Sequence, residues 1–390
     1  MVNRLVKPII SNSFFLFGAR GTGKSTFVKS YLPRKSYYLD LLDDETFDRL
    51  MLEPEMIEDL CSEKKYEWII LDEIQRLPKL LNIVHRMIEK YHQKFALTGS
   101  SSRKLKRGGA NLLAGRAFVN ILFPFTYLEI QNQFDIDHAL HWGTLPKILS
   151  LSSDAERKAY LRSYCLTYIK EEIQAEQIVR NLEPFREFLT VAAQSSGNII
   201  NYSSVSRDVG VQVPTVQSYF QILEETYLGL ILPHYHRSVR KSQIQSPKFY
   251  FFDNGVKKAL EASLDSKPVE GTSQFGDLFE SFVIQEIHRL NEYFQRDFRL
   301  SFFQTKHGAE VDLVLSKGRQ VILVEIKSTK RVDEIEVRKL ARIAHDFGDQ
   351  TRSFYLSRDK FQRIVDGVEC WFWSDFPKNF FGASSMERFG

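Results

Sequence analysis

The chain has 390 residues, 43% of them hydrophobic and 26% charged, with a formal net charge of +4. That length supports two or three domains, each large enough to bury a core. The mild charge excludes a strongly polybasic or polyacidic chain and leaves nucleic-acid contact to local patches. Three scattered cysteines, Cys61, Cys165 and Cys370, exclude a disulfide framework and a CxxC zinc site.

The first residues lack the apolar core and cleavage pattern of a secretion signal, and no apolar run reaches the roughly 20 residues that span a bilayer. A cytoplasmic protein with no membrane partner is expected. Four short apolar runs follow: Phe14–Phe17, Tyr37–Leu39, Trp68–Leu71 and Phe95–Leu97. Helical patterns such as Leu80–Lys90 separate them. Strands alternating with helices predict an α/β domain with a parallel sheet covered on both faces. It is expected over residues 1–153, ending in an irregular connector after Phe123-Pro124-Phe125.

The run Gly18-Ala19-Arg20-Gly21-Thr22-Gly23-Lys24-Ser25-Thr26 fits the phosphate-loop pattern and sits between a predicted strand and a predicted helix. In such a loop the backbone N–H groups surround phosphate oxygens and the helix N-terminus adds a favourable dipole. Lys24 is expected on the β and γ phosphates of ATP, and the Ser25 hydroxyl on Mg²⁺. Asp72-Glu73 ends the third apolar run. Asp72 is expected to hold the same Mg²⁺, and Glu73 to orient the attacking water. Ser100 ends the fourth run and either senses the γ phosphate or closes an ordinary turn. Segment 103–107 is basic, and is either a phosphate contact or a solvated loop.

These motifs, with Leu71-Asp72-Glu73-Ile74-Gln75, Leu97-Thr98-Gly99-Ser100-Ser101-Ser102 and Leu113-Ala114-Gly115-Arg116, resemble the AAA+-type prokaryotic ATPases that carry a C-terminal domain of obscure function. The resemblance runs through Pro124-Phe125 and Leu223–Leu232 into the Glu310–Lys327 region. It implies an ATPase core that assembles as a homo-oligomer and completes its site with an arginine from a neighbouring subunit. Arg116 and Arg103 are the candidates, each otherwise a surface charge.

Residues 154–262 read as largely helical. Ser203–Val209, Gly210 and Pro214–Glu225 have helix-turn-helix proportions. Val216, Tyr219, Phe220 and Leu223 form the buried stripe, and Thr215, Gln217, Ser218 and Gln221 face outward. Tyr227–Pro233 and Lys248–Phe252 are expected to form a wing, joined by a segment bearing Arg237, Arg240 and Lys241. A winged helix of this kind contacts DNA through its backbone or serves only for packing. Its recognition helix carries no Arg or Lys.

The polar stretch Ser263–Ser273 is the expected linker to a C-terminal domain over residues 263–390. A helix over Phe275–Tyr293 is followed by strands. Strict alternation places Ile322, Val324 and Ile326 on one face and Leu323, Glu325 and Lys327 on the other. A turn at Lys317-Gly318 brings Asp312 toward Glu325 and Lys327, and Glu280 approaches from the helix, with Glu286 as the alternative acid. Carboxylates with a lysine suit metal-assisted phosphodiester hydrolysis, with Asp312 and Glu325 on Mg²⁺. The set resembles the PD-(D/E)xK nuclease superfamily, although Val311 stands where its first motif has proline. The resemblance implies a restriction-nuclease-like domain, active or inert.

Together these readings give an ATP-dependent DNA-processing protein that binds or remodels DNA and cuts it. Branched DNA is one candidate substrate. The alternatives are a nucleotide-gated switch with an inert nuclease-like domain, and an ATPase that remodels protein.

Overall fold

The computed structural model describes residues 2–63, 65–101, 112–168, 182–236, 245–305, 308–348 and 350–381. Five strands open the chain: β1 (Ser13–Phe17), β2 (Ser36–Asp40), β3 (Trp68–Asp72), β4 (Lys94–Gly99) and β5 (Ala117–Ile121). They form one parallel sheet in the order β2-β3-β4-β1-β5. Every residue of β1 and of β3 is buried, as continuous apolar strands flanked by helices on both faces require. The sequence reading lacked β5. Its pattern is half-exposed and polar at Asn120, because it is an edge strand with one neighbour.

A second region is helical. Its first described helix is α-helical over Asp154–Ser163 and widens into a π turn at Tyr164–Tyr168. Helices Leu182–Gln194, Tyr202–Val209 and Val213–Glu225 pack together. Gly210 ends the second in a left-handed cap at φ 71°. Val216, Tyr219, Phe220 and Leu223 are buried, and Gln217 and Gln221 are exposed. Strands β6 (Gly229–Leu232) and β7 (Lys248–Phe251) then pair antiparallel. Beyond β6, Phe302 N donates to Pro233 O and Tyr235 N to Phe302 O, which joins this hairpin to the C-terminal sheet. The expected basic wing residues Arg237, Arg240 and Lys241 lie outside the described residues, as do Ser102, Arg103 and the 103–107 segment.

The C-terminal region begins with the 21-residue helix Ser273–Tyr293, capped by Thr272. Six strands follow: β8 (Arg299–Gln304), β9 (Glu310–Lys317), β10 (Gln320–Ile326), β11 (Arg352–Ser357), β12 (Arg363–Val365) and β13 (Val368–Phe372). They make a mixed sheet in the order β12-β13-β11-β10-β9-β8. Helix Glu334–Phe347 crosses between β10 and β11, which run parallel. Ile322, Val324 and Ile326 pack under the 273–293 helix, while Leu323 faces the crossover helix.

The 273–293 helix ties the three regions together through polar contacts. Arg289, 2% exposed, donates to Phe125 O, the Thr144 hydroxyl, Phe252 O, Gln285 Oε1 and Glu286 Oε1 at 2.6–3.2 Å. The fully buried Glu286 also accepts from Tyr127 N at 2.7 Å. This rules out Glu286 as the alternative acid of the C-terminal cluster. Tyr293 OH accepts from Phe123 N at 3.0 Å and from Arg4 at 3.1 Å.

Replacing Arg289 by methionine strands a buried carboxylate and two carbonyls. Loss of about 3–5 kcal/mol of stability is expected in urea denaturation, with partial recovery when Glu286→Gln is added. A loss below about 1 kcal/mol refutes the anchoring role.

Candidate functional site

The phosphate loop leaves β1 and enters helix Lys24–Tyr31. Gly18 packs so tightly on the chain leaving β5 that a Cβ there would lie 2.1 Å from Leu122 O. Gly23 caps the helix at φ 92°, a conformation side-chain-bearing residues avoid. Lys24 is buried, with its ammonium 2.8 Å from Gly18 O and 3.3 Å from Ala19 O. The Thr22 hydroxyl also donates to Ala19 O. The Tyr164 hydroxyl donates to Arg20 O at 2.8 Å, so the helical region rests on the loop. A cavity of about 820 Å³ opens beside the loop, lined by Arg4, Thr22, Gly23, Thr26, Phe27 and Tyr31.

Asp72 is buried at the end of β3 and accepts from the hydroxyls of Tyr38 and Thr98. Burial and the Asp72 carboxylate hold the Tyr38 phenol well above its usual range, and Ser25 hydrogen-bonds the same phenol. Ser25 and Asp72 therefore meet around one tyrosine. Glu73 takes a left-handed backbone at φ 61° and faces Lys24 at 3.9 Å. The Gln75 amide donates to Glu73 and, at 2.8 Å, to the Ser100 hydroxyl. Thr98, Gln75 and Tyr38 were missed in the sequence. Thr98 ends an apolar strand beside Asp72, and that spacing was the available signal. Arg116 stands at the start of β5, half-exposed, with its guanidinium on Glu89 of the same chain.

At the other cluster, the β9–β10 hairpin brings Asp312, Glu325 and Lys327 together. The Lys327 ammonium lies 2.5 Å from Glu325 and 3.3 Å from Asp312, which also accepts from Ile326 N at 2.8 Å. Glu280 joins from the 273–293 helix, held by the Tyr250 hydroxyl at 2.7 Å. Four members escaped the sequence reading: Lys248 and Tyr250 from β7, Gln304 from β8 and Glu310 from β9. Lys248 Nζ is 2.5 Å from Glu310 and 3.7 Å from Glu280, and Gln304 donates to Glu310. The lysine signal lay in a strand run, Lys248–Phe252, read only as a wing.

Burial and then the nearby Asp312 charge push Glu280 up to about 7 and Glu325 up to about 8. Burial would lower Lys327, but Asp312 and Glu325 override it and hold its proton firmly. Glu325 Oε2 is buried with no hydrogen-bond partner. An orphaned carboxylate oxygen in an acid-rich pocket suits a divalent cation. Among the described residues, however, no three acid, histidine or cysteine side chains stand as a ready metal cage. Lysines are interleaved with the acids.

Residues 11–131 match the family model of the AAA domain. Two domains of unknown function match residues 133–267 (DUF8612) and 275–374 (DUF4143). The chain is 24% identical over 263 residues to uncharacterised proteins of Mycobacterium tuberculosis (Rv2008c) and Mycobacterium bovis (Mb2031c), covering 67% of this chain and 58% of each relative. The match thus spans little more than half of those proteins. A Haemophilus influenzae protein is 20% identical over 357 residues, 87% of this chain and 83% of that one. Solved structures with similarity include the Aeropyrum pernix ORC1 protein in complex with DNA, at 15% identity, TM-score 0.29, and coverage of 66% of this chain and 87% of that one. The replication initiator DnaA bound to AMPPCP and single-stranded DNA gives 12% identity, TM-score 0.28, and coverage of 55% and 82%. The AAA match, with the loop geometry, supports a P-loop ATPase domain in the first region. No described helix is long and apolar enough to cross a membrane.

Raised carboxyl groups mean that the folded acid pocket keeps protons that the unfolded chain releases above about pH 4.5. Their contribution to stability is full below that pH and is lost as the pH climbs through about 7 to 8. In metal-free buffer the thermal midpoint should therefore fall across that window, and Glu325→Gln should flatten the fall. An identical pH profile in the variant contradicts this.

Proposed function

We propose that this chain hydrolyses ATP at its phosphate loop and uses the nucleotide state to act on DNA, which the C-terminal acid pocket cuts. One observation carries the reading: a buried loop lysine facing Asp72-Glu73 occurs in the same chain as a separate pocket where Asp312, Glu325, Lys327 and Glu280 converge.

At the first site Lys24 exchanges the Gly18 and Ala19 carbonyls for phosphate oxygens, and the 820 Å³ cavity receives the rest of the nucleotide. Ser25 and Asp72 would hold Mg²⁺, with Tyr38 and Thr98 fixing the Asp72 carboxylate. Glu73 accepts the proton of the attacking water, and Gln75 links it to Ser100 at the end of β4. An arginine from a second copy, Arg116 or Arg103, completes the charge stabilisation. At the second site Asp312 and Glu325 would hold a divalent cation, with Glu280 approaching from the helix, and Lys327 would face the scissile phosphate. A bound Mg²⁺ at either place supplies phosphate charge neutralisation and an acidified water. The three helices followed by the β6–β7 hairpin support a winged-helix module that touches the DNA backbone. Domain limits at 153 and 262 fit this division of labour.

A second reading has its own support. Lys327 and Lys248 already pair the acids, which favours a nucleotide-gated switch whose nuclease-like domain is inert.

Lys24→Ala should abolish ATP turnover, and Glu73→Gln should bind ATP but lower turnover by roughly 100-fold or more. If both variants turn ATP over at the parent rate, the first assignment fails. With Mg²⁺ or Mn²⁺ and linear, forked and four-way DNA, Asp312→Asn should lose cutting and keep the parent ATPase rate. Absence of cutting by the parent on all of these selects the switch.

A further inference from the structure

The acid pocket is built across two regions. β7 comes from the hairpin that follows the helical region, yet Lys248 and Tyr250 point from it into the C-terminal cluster. Lys248 is 5% exposed, and its ammonium bridges Glu310 at 2.5 Å and Glu280 at 3.7 Å. Its charge also lies 5.4 Å over the Phe302 ring. Lys327 bridges the other two acids, Asp312 and Glu325. The pocket thus divides into two halves, each with two carboxylates and one ammonium. The halves differ in one respect. Glu325 Oε2 is buried and orphaned in the Lys327 half. In the Lys248 half, Glu310 has both oxygens engaged, by Lys248 and Gln304.

We propose that Lys248 occupies the place of a second divalent cation, so that the pocket takes one such ion, beside Glu325, and not two. This rests on the reading of the acid pocket as a cation site. A divalent ion displaces the protons that Glu280 and Glu325 keep in the empty pocket. The four carboxylates against two ammonium groups then leave two negative charges, which that single ion neutralises. A second ion beside Lys248 would leave the buried pocket with a net positive charge and a costly repulsion. Proteins commonly use a pair of metals to hold both sides of a phosphoryl group. Here a tethered ammonium provides one of the two charges, and it is delivered by the hairpin.

The test counts Mn²⁺ bound to the full, nucleotide-free chain, by the loss of the free-ion electron paramagnetic resonance signal. The parent should bind one ion, and Asp312→Asn combined with Glu325→Gln should lose it. Lys248→Met keeps the apolar stem but removes the charge, and should admit a second ion. Lys248→Arg should keep the count at one. An unchanged ATPase rate in both Lys248 variants verifies that the chain is folded. One ion in the parent and one, of equal affinity, in Lys248→Met overturns the role of Lys248 and leaves the cation-site reading standing. Two ions in the parent also overturn it. No ion in either protein overturns the cation-site reading, and this inference with it.

Discussion

A single guanidinium organises this molecule. Arg289 reaches five partners contributed by the connector after β5, by the turn after β7 and by its own helix. Two are main-chain carbonyls that no side-chain rearrangement can move. Burying an arginine costs several kcal/mol unless nearly every donor is met. The site is therefore formed completely or is strongly penalised. The fold thus specifies how its three regions sit against one another through hydrogen-bond geometry as well as apolar contact. Arg4 repeats the device a turn away. It ion-pairs with Glu129, touches the Tyr293 hydroxyl and lies 4.4 Å over the Phe125 ring.

The two candidate sites use opposite electrostatic designs. At the phosphate loop the cation is buried against carbonyls of its own loop, and the neighbouring acids Asp72 and Glu73 are each fixed by neutral donors. Lys24 itself faces the Glu73 carboxylate at 3.9 Å. At the C-terminal pocket the acids outnumber the cations, and burial raises two of them. Such a pocket has a standing demand for positive charge. On the proposed reading the first site takes an anion and the second a cation, and the 273–293 helix contributes Glu280 to the second.

Much of this was legible in the sequence, for definite reasons. The loop motif is local, so Gly18, Gly23, Lys24 and Ser25 needed no tertiary information. The β9–β10 hairpin has strict two-residue alternation with a Lys317-Gly318 turn, so Asp312, Glu325 and Lys327 followed from register. Glu280 lay on a helix whose phase was readable. What was hidden depended on long-range contact. Lys248 and Tyr250 join residues 30 to 62 positions away in another region. Gln75 bonds both Glu73 and Ser100 only because β3 and β4 are neighbours. β5 was missed because an edge strand needs only half of the apolar pattern that defines a central one.

The strand β7 has a parity that matters beyond its length. Phe249 and Phe251 enter the core of the helical region, while Tyr250 belongs to the core under the C-terminal helix and Lys248 to the acid pocket. Even positions serve one region and odd positions the other. Inserting or deleting one residue inside this strand would exchange the two sets, sending two phenyl rings among carboxylates and an ammonium into an apolar core. Within this strand a change of length therefore preserves both sets of contacts only in steps of two.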